Sequence, residues 1–137
     1  MKRPSWDEVW MEVAKTISMR SHHETFKVGA IIVTSDNTQV LSVGYNGNAA
    51  GMKNCIESDE PGCSGLIHAE INALLKLDYN NPKSKKMYLT LSPCADCAKC
   101  IVNSGIKEVV YLEKYRDFSG INILKEMNIL CRKIDII

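Results

Sequence analysis

The chain has 137 residues, 45% of them apolar and 24% charged, the balance of one globular domain rather than of a disordered chain. A formal net charge of +1 gives no field that would recruit a polynucleotide, and no apolar run approaches the length of a membrane span. Six cysteines stand out. Met1-Lys2-Arg3-Pro4 runs directly into Trp6-Asp7-Glu8 with no apolar signal core. The expectation is therefore a cytoplasmic chain with metal or thiol chemistry, ahead of three disulfides.

The elements can be read in chain order. Trp6, Val9, Trp10, Val13, Ala14 and Ile17 recur at helical spacing over residues 5–20, with Ser5 as N-cap and Glu8 completing a capping box. Val28 to Thr34 is β-branched and apolar and predicts a buried strand. A Ser35-Asp36-Asn37 turn leads into a second strand over Val40 to Tyr45. Residues 46–67 carry glycines, Pro61, Cys55 and Cys63 and predict a long loop, uncommon in a compact domain unless functional or pinned. A helix over His68–Leu77, a strand over Lys86–Leu91, a helix over Cys94–Asn103, a strand from Glu108, a helix over Asp117–Met127 and a last strand over Ile129–Ile134 follow. This alternation predicts one α/β domain over 1–137 with helices on both faces of a sheet.

Two segments carry the chemistry: His68-Ala69-Glu70 and Pro93-Cys94-Ala95-Asp96-Cys97. Cys94 and Cys97 are three residues apart at a helix start and face the same way. Their thiolates, with His68 as a third ligand, would hold Zn²⁺ and leave the fourth position open, the pattern of a catalytic site. Two helix N-termini aimed at the metal would favour thiolates. Glu70 can share the site only if its helix begins at His68, and there it serves as a proton shuttle. H-x-E followed by P-C-x-x-C is the signature of zinc nucleobase deaminases. Either half alone would say little, since a lone C-x-x-C is equally a redox pair or half a zinc knuckle.

At these residues the chain resembles the deoxycytidylate (dCMP) deaminases of the cytidine deaminase superfamily. The resemblance extends to Val28-Gly29-Ala30, Gly44-Tyr45-Asn46-Gly47, His68 to Ala73, Leu91 to Lys99 and Ser104 to Val109. It implies a three-layer α/β/α sandwich with a central five-stranded mixed sheet. It also implies hydrolysis of dCMP to dUMP and ammonia, with zinc on His68, Cys94 and Cys97 and Glu70 moving protons to ring N3 and the leaving amine. Backbone groups near Ala69 and Ser92 would hold the base edge, Asn46 the sugar or base, and Tyr115 would pack on the nucleoside. Arg20, at a position where the family carries arginine, or nearby Lys27 would meet the phosphate; a helix C-terminal charge and a solvated strand flank are the plain readings of these two. The family further implies a homo-oligomer, often a hexamer, and dCTP and dTTP as effectors.

Some relatives carry a second, structural zinc. Its ligands here would be His23, Cys55 and Cys63, with a fourth from His22, Glu57, Asp59 or Glu60; the alternative is exposed histidines and free thiols. Cys100 and Cys131 read as packing residues. The rivals are a deaminase of another small base or nucleoside and a non-catalytic zinc module of the same fold, which an intact Glu70 disfavours.

Overall fold

Ser5 opens the first helix, α1 (Trp6–Ser18), with a reciprocal cap: its hydroxyl accepts the Glu8 amide at 3.2 Å, and Glu8 accepts the Ser5 amide at 3.2 Å. The structure, a computed structural model, describes residues 2–60 and 63–136; Pro61 and Gly62 of the long loop lie outside that range. After α1 come β1 (Gly29–Thr34), β2 (Val40–Tyr45), α2 (Ala69–Leu75), β3 (Lys85–Leu91), α3 (Ala95–Ser104), β4 (Glu108–Glu113), α4 (Ser119–Glu126) and β5 (Leu130–Lys133).

The strands form one sheet in the order β2-β1-β3-β4-β5. β1 is antiparallel to β2 and β3, whereas β3, β4 and β5 run parallel. The tight β1–β2 turn is held by Asp36, which accepts from the hydroxyls of Thr34 and Thr38 at 2.6 Å. The two faces of β1 explain its unbroken apolar run. Ala30 and Ile32 join Met87, Leu89, Val109 and Tyr111 beneath α2, α3 and α4, while Ile31 and Val33 join Tyr88 and Val110 beneath α1 alone. The expected five-stranded mixed sheet between helical layers is therefore present, with one helix on one face and three on the other.

Element ends differ from expectation for local reasons. α4 begins at Ser119 rather than Asp117 because the Asp117 carboxylate accepts the Ser119 amide at 2.9 Å. α2 ends at Leu75 rather than Leu77. The long loop is closed by backbone pairing: Gly47 and Ile67 exchange both amide hydrogen bonds, at 3.0 and 2.9 Å. Among the described residues no helix is long and apolar enough to cross a membrane.

The mixed topology gathers several chain segments at one end of the sheet. Register pairs Gly29 with Tyr45, Ala30 with Leu89 and Leu91 with Glu113. The start of β1 and the ends of β2, β3 and β4 consequently share one edge, the usual place for a ligand site in an open α/β sheet.

Candidate metal centre and active site

His68 and Cys94 are the N-cap residues of α2 and α3, both with extended backbone and neither with a side-chain cap. Their side chains are thus directed to each other instead of to their own helices. His68 Nδ1 lies 3.1 Å from Cys97 Sγ and 3.6 Å from Cys94 Sγ, and the three ligating atoms are mutually within 4.8 Å. Two ligands bound tetrahedrally at zinc distances would lie roughly 3.6 Å apart. One imidazole nitrogen and two sulfurs are a donor set suited to zinc, and three of them leave a position open. Among the described residues this is the single such cluster.

The cluster shapes its own protonation. Hydrogen bonding with Cys97 leads in pulling the Cys94 thiol down to about 4, against the effect of burial. The same contact pushes Cys97 up, so without a metal the pair shares one proton. The hydrogen bond with Cys94 raises the His68 pKa despite desolvation. A bound metal would replace the shared proton and hold both sulfurs as thiolates.

Glu70 follows in the first turn of α2 and is only 4% exposed. Burial pushes its carboxyl up to about 7, against the pull of its own backbone amide and of His68. The extended backbone of His68 resolves the spacing problem: residue 68 is not yet helical, so His68 and Glu70 do not fall on opposite sides of one helix.

A pocket opens beside this cluster, and His68, Glu70 and Cys94 line it together with Asn46, Ala69, Ser92 and Tyr115. Asn46 also braces the wall: its Oδ1 accepts the Val28 amide at 2.9 Å and its Nδ2 donates to the Phe26 carbonyl at 2.7 Å. Ser92 Oγ accepts the Tyr115 amide at 2.7 Å and so fixes the loop after β4. His23, Phe26, Val28, Leu91, Ser64 and Glu60 complete the lining; of these, Phe26, Val28, Leu91 and Ser64 were not singled out as site residues from the sequence. Val28 and Leu91 could have been, as the residues where two predicted strands reach the site edge.

Among the described residues, Arg20, Lys27, Cys55 and Cys63 lie outside the pocket lining, and His23 lies within it. Arg20 is exposed and Lys27 donates to the Ser21 carbonyl at 3.0 Å, and neither lines the pocket. His23 does not meet Cys55 and Cys63, which are both exposed; it is buried in the pocket wall, and its Nδ1 accepts the Thr25 and Phe26 amides at 3.1 and 2.9 Å.

Comparison with known proteins agrees with this site. Residues 4–113 match the cytidine and deoxycytidylate deaminase zinc-binding region. The deoxycytidylate deaminase of Pongo abelii is 36% identical over 124 residues, covering 82% of this chain and 67% of that one. The deoxycytidylate deaminase of Mycobacterium phage D29 is 36% identical over 126 residues, covering 81% of this chain and 97% of that protein. The crystal structure of dCMP deaminase from cyanophage S-TIM5 in complex with dCMP and dUMP superposes with a TM-score of 0.83 at 34% identity, over 98% of this chain and all of that one. With the zinc motif, the sheet order and near full-length relatives in agreement, the chain belongs to the cytidine and deoxycytidylate deaminase family.

Proposed function

We propose that this chain is a zinc-dependent deaminase that hydrolyses dCMP to dUMP and ammonia. The observation that carries the reading is the convergence of His68, Cys94 and Cys97 with a buried Glu70 in one pocket. Zinc, when bound, supplies the Lewis acidity that makes water a nucleophile at neutral pH. His68, Cys94 and Cys97 would hold it. The Glu70 carboxylate takes one proton from the attacking water and delivers it to ring N3; it then takes a second proton, from the hydroxyl now on C4, and passes it to the amine as the C4–N bond breaks and dUMP and ammonia form. A purely structural zinc would have no use for a carboxyl buried beside it.

Backbone groups at Ala69 and Ser92 hold the base edge, Asn46 offers its remaining amide hydrogen, and Tyr115 packs on the nucleoside. A homo-oligomer, response to dCTP and dTTP, and a cytoplasmic setting belong to the same proposal. Sizing chromatography would test the oligomer.

The deciding experiment offers dCMP, CMP, deoxycytidine and cytosine to the zinc-loaded chain and follows ammonia release. dCMP should be consumed with the highest kcat/KM. Release from none of the four would leave a zinc module without catalysis, and preference for another would reassign the substrate.

A further inference from the structure

The connector between α1 and β1 contains a histidine whose orientation the fold has fixed. His23 is only 8% exposed, and its ring stands edge-on to Phe26 at a centroid distance of 5.3 Å. Its Nδ1 accepts two backbone amides, from Thr25 and Phe26. A nitrogen that accepts two N–H groups carries no proton, so the imidazole proton sits on Nε2. Nε2 has no protein partner among the described residues, and no fully buried polar side-chain atom there is left unsatisfied, so Nε2 retains some accessible surface on a residue that lines the pocket.

The ring is rigidly supported. The His23 amide donates to Ser21 Oγ, and Ser21 Oγ donates to the Asn46 carbonyl. Asn46 in turn clamps Phe26 and Val28. This is a preorganised donor, and its conformational cost is met on folding rather than on binding. The pocket also has a specific need for one. Its described lining contains no lysine or arginine but does contain, besides Glu70, the carboxylate of Glu60, so within this lining the donors available to a nucleotide's oxygens are neutral ones.

Resting on the deaminase reading, the geometry points to His23 as a substrate-binding residue that donates from Nε2–H to an oxygen of the sugar–phosphate portion of the nucleotide. The base is taken up by the Glu70 and metal-ligand end of the pocket, so the remaining acceptors are the deoxyribose and phosphate oxygens. His23 touches no reacting atom; it selects and holds.

Two substitutions separate this role from a structural one. His23→Asn keeps an acceptor at the δ position for the Thr25 and Phe26 amides and deletes the ε donor. His23→Gln restores an N–H at the ε position. The zinc-loaded full chain is assayed with dCMP and deoxycytidine, and dUMP binding is measured by calorimetry. His23→Asn should raise KM for dCMP and Kd for dUMP about tenfold, with kcat changing less than about twofold. His23→Gln should recover part of that loss.

A KM rise confined to dCMP assigns the acceptor to phosphate, and an equal rise with deoxycytidine assigns it to the sugar. Unchanged KM and Kd in His23→Asn beside an active wild type overturn the proposal, as does a loss of fold or zinc with dUMP affinity preserved below the melting transition. An inactive wild type would instead overturn the deaminase reading, and with it this contact, before any substitution is compared.

Discussion

In the proposed reaction, Glu70 and the His68, Cys94 and Cys97 cluster would divide the work at the site between a proton carrier and a metal cage. Glu70→Gln retains the shape of the side chain and removes its proton-accepting capacity. It should keep zinc at wild-type stoichiometry and lose about 10²- to 10⁴-fold in kcat, measured by metal analysis alongside ammonia release. Turnover near wild type would reject the proton-shuttle role. These four residues were legible in the sequence because each sits at a helix start, where spacing alone decides which side chains can converge. His23 was not, because its nitrogen is claimed by two amides of a loop whose turn no periodicity announces. Lys27 was ambiguous for the same reason: its ammonium donates to the Ser21 carbonyl, a contact that depends on how the connector doubles back.

Elements meet around the site with almost no side chain between them. A Cβ added at Gly120 would come within 2.0 Å of the Pro93 carbonyl oxygen and 2.8 Å of the Cys94 carbonyl oxygen. One added at Gly44 would come within 2.4 Å of the Ala69 carbonyl oxygen. α4 is thus packed backbone to backbone on the segment that carries a metal ligand, and β2 on the first turn of α2. Gly120→Ala should destabilise the chain by about 1–3 kcal/mol through overpacking. It should also weaken zinc retention during dialysis against a chelator, because Cys94 must shift with Pro93. Wild-type stability and retention together would show that α4 gives way freely. Strand and helix identities were readable from periodicity, since β1 is apolar on both faces and its helices on one. The close approaches were not, because a glycine in sequence does not say which backbone it admits. The Gly44-Tyr45-Asn46-Gly47 segment shows the difference: Gly44 lets α2 lie close, and Asn46 fixes the wall of the pocket.

Across the whole molecule, one polar network joins the first helix to the last strand. Arg132 donates to Asp7 at 3.1 Å and to Glu108 at 2.7 Å, and the Tyr88 hydroxyl donates to Asp7. Burial raises the Asp7 carboxyl, but the bonds from Arg132 and Tyr88 outweigh it and hold it below its ordinary 3.8. A depressed carboxylate pKa stabilises the fold above its unfolded value, and that contribution disappears as pH falls through the folded one. Asp7→Asn should therefore lower the melting temperature at pH 7, and the gap from wild type should close as pH drops below about 4. A gap that stays constant over that range would mean the loss comes from packing rather than from charge. This network was invisible in the sequence, because its partners Asp7 and Arg132 lie 125 residues apart and neither belongs to a motif.

His68 and Cys94 lie 26 residues apart and close on each other at the mouths of two helices. A metal there is a removable staple that turns the intervening helix, turn and strand into a closed ring. The entropy of closing such a ring grows only with the logarithm of its length, about 0.6 kcal/mol per doubling. The exposed stretch from Asp78 to Lys83, at the far side of that ring, can therefore lengthen or shorten with little effect on the staple. Variation there leaves the chemistry at the opposite end of the sheet untouched, so this stretch is a place where a sequence can diverge without losing its reaction.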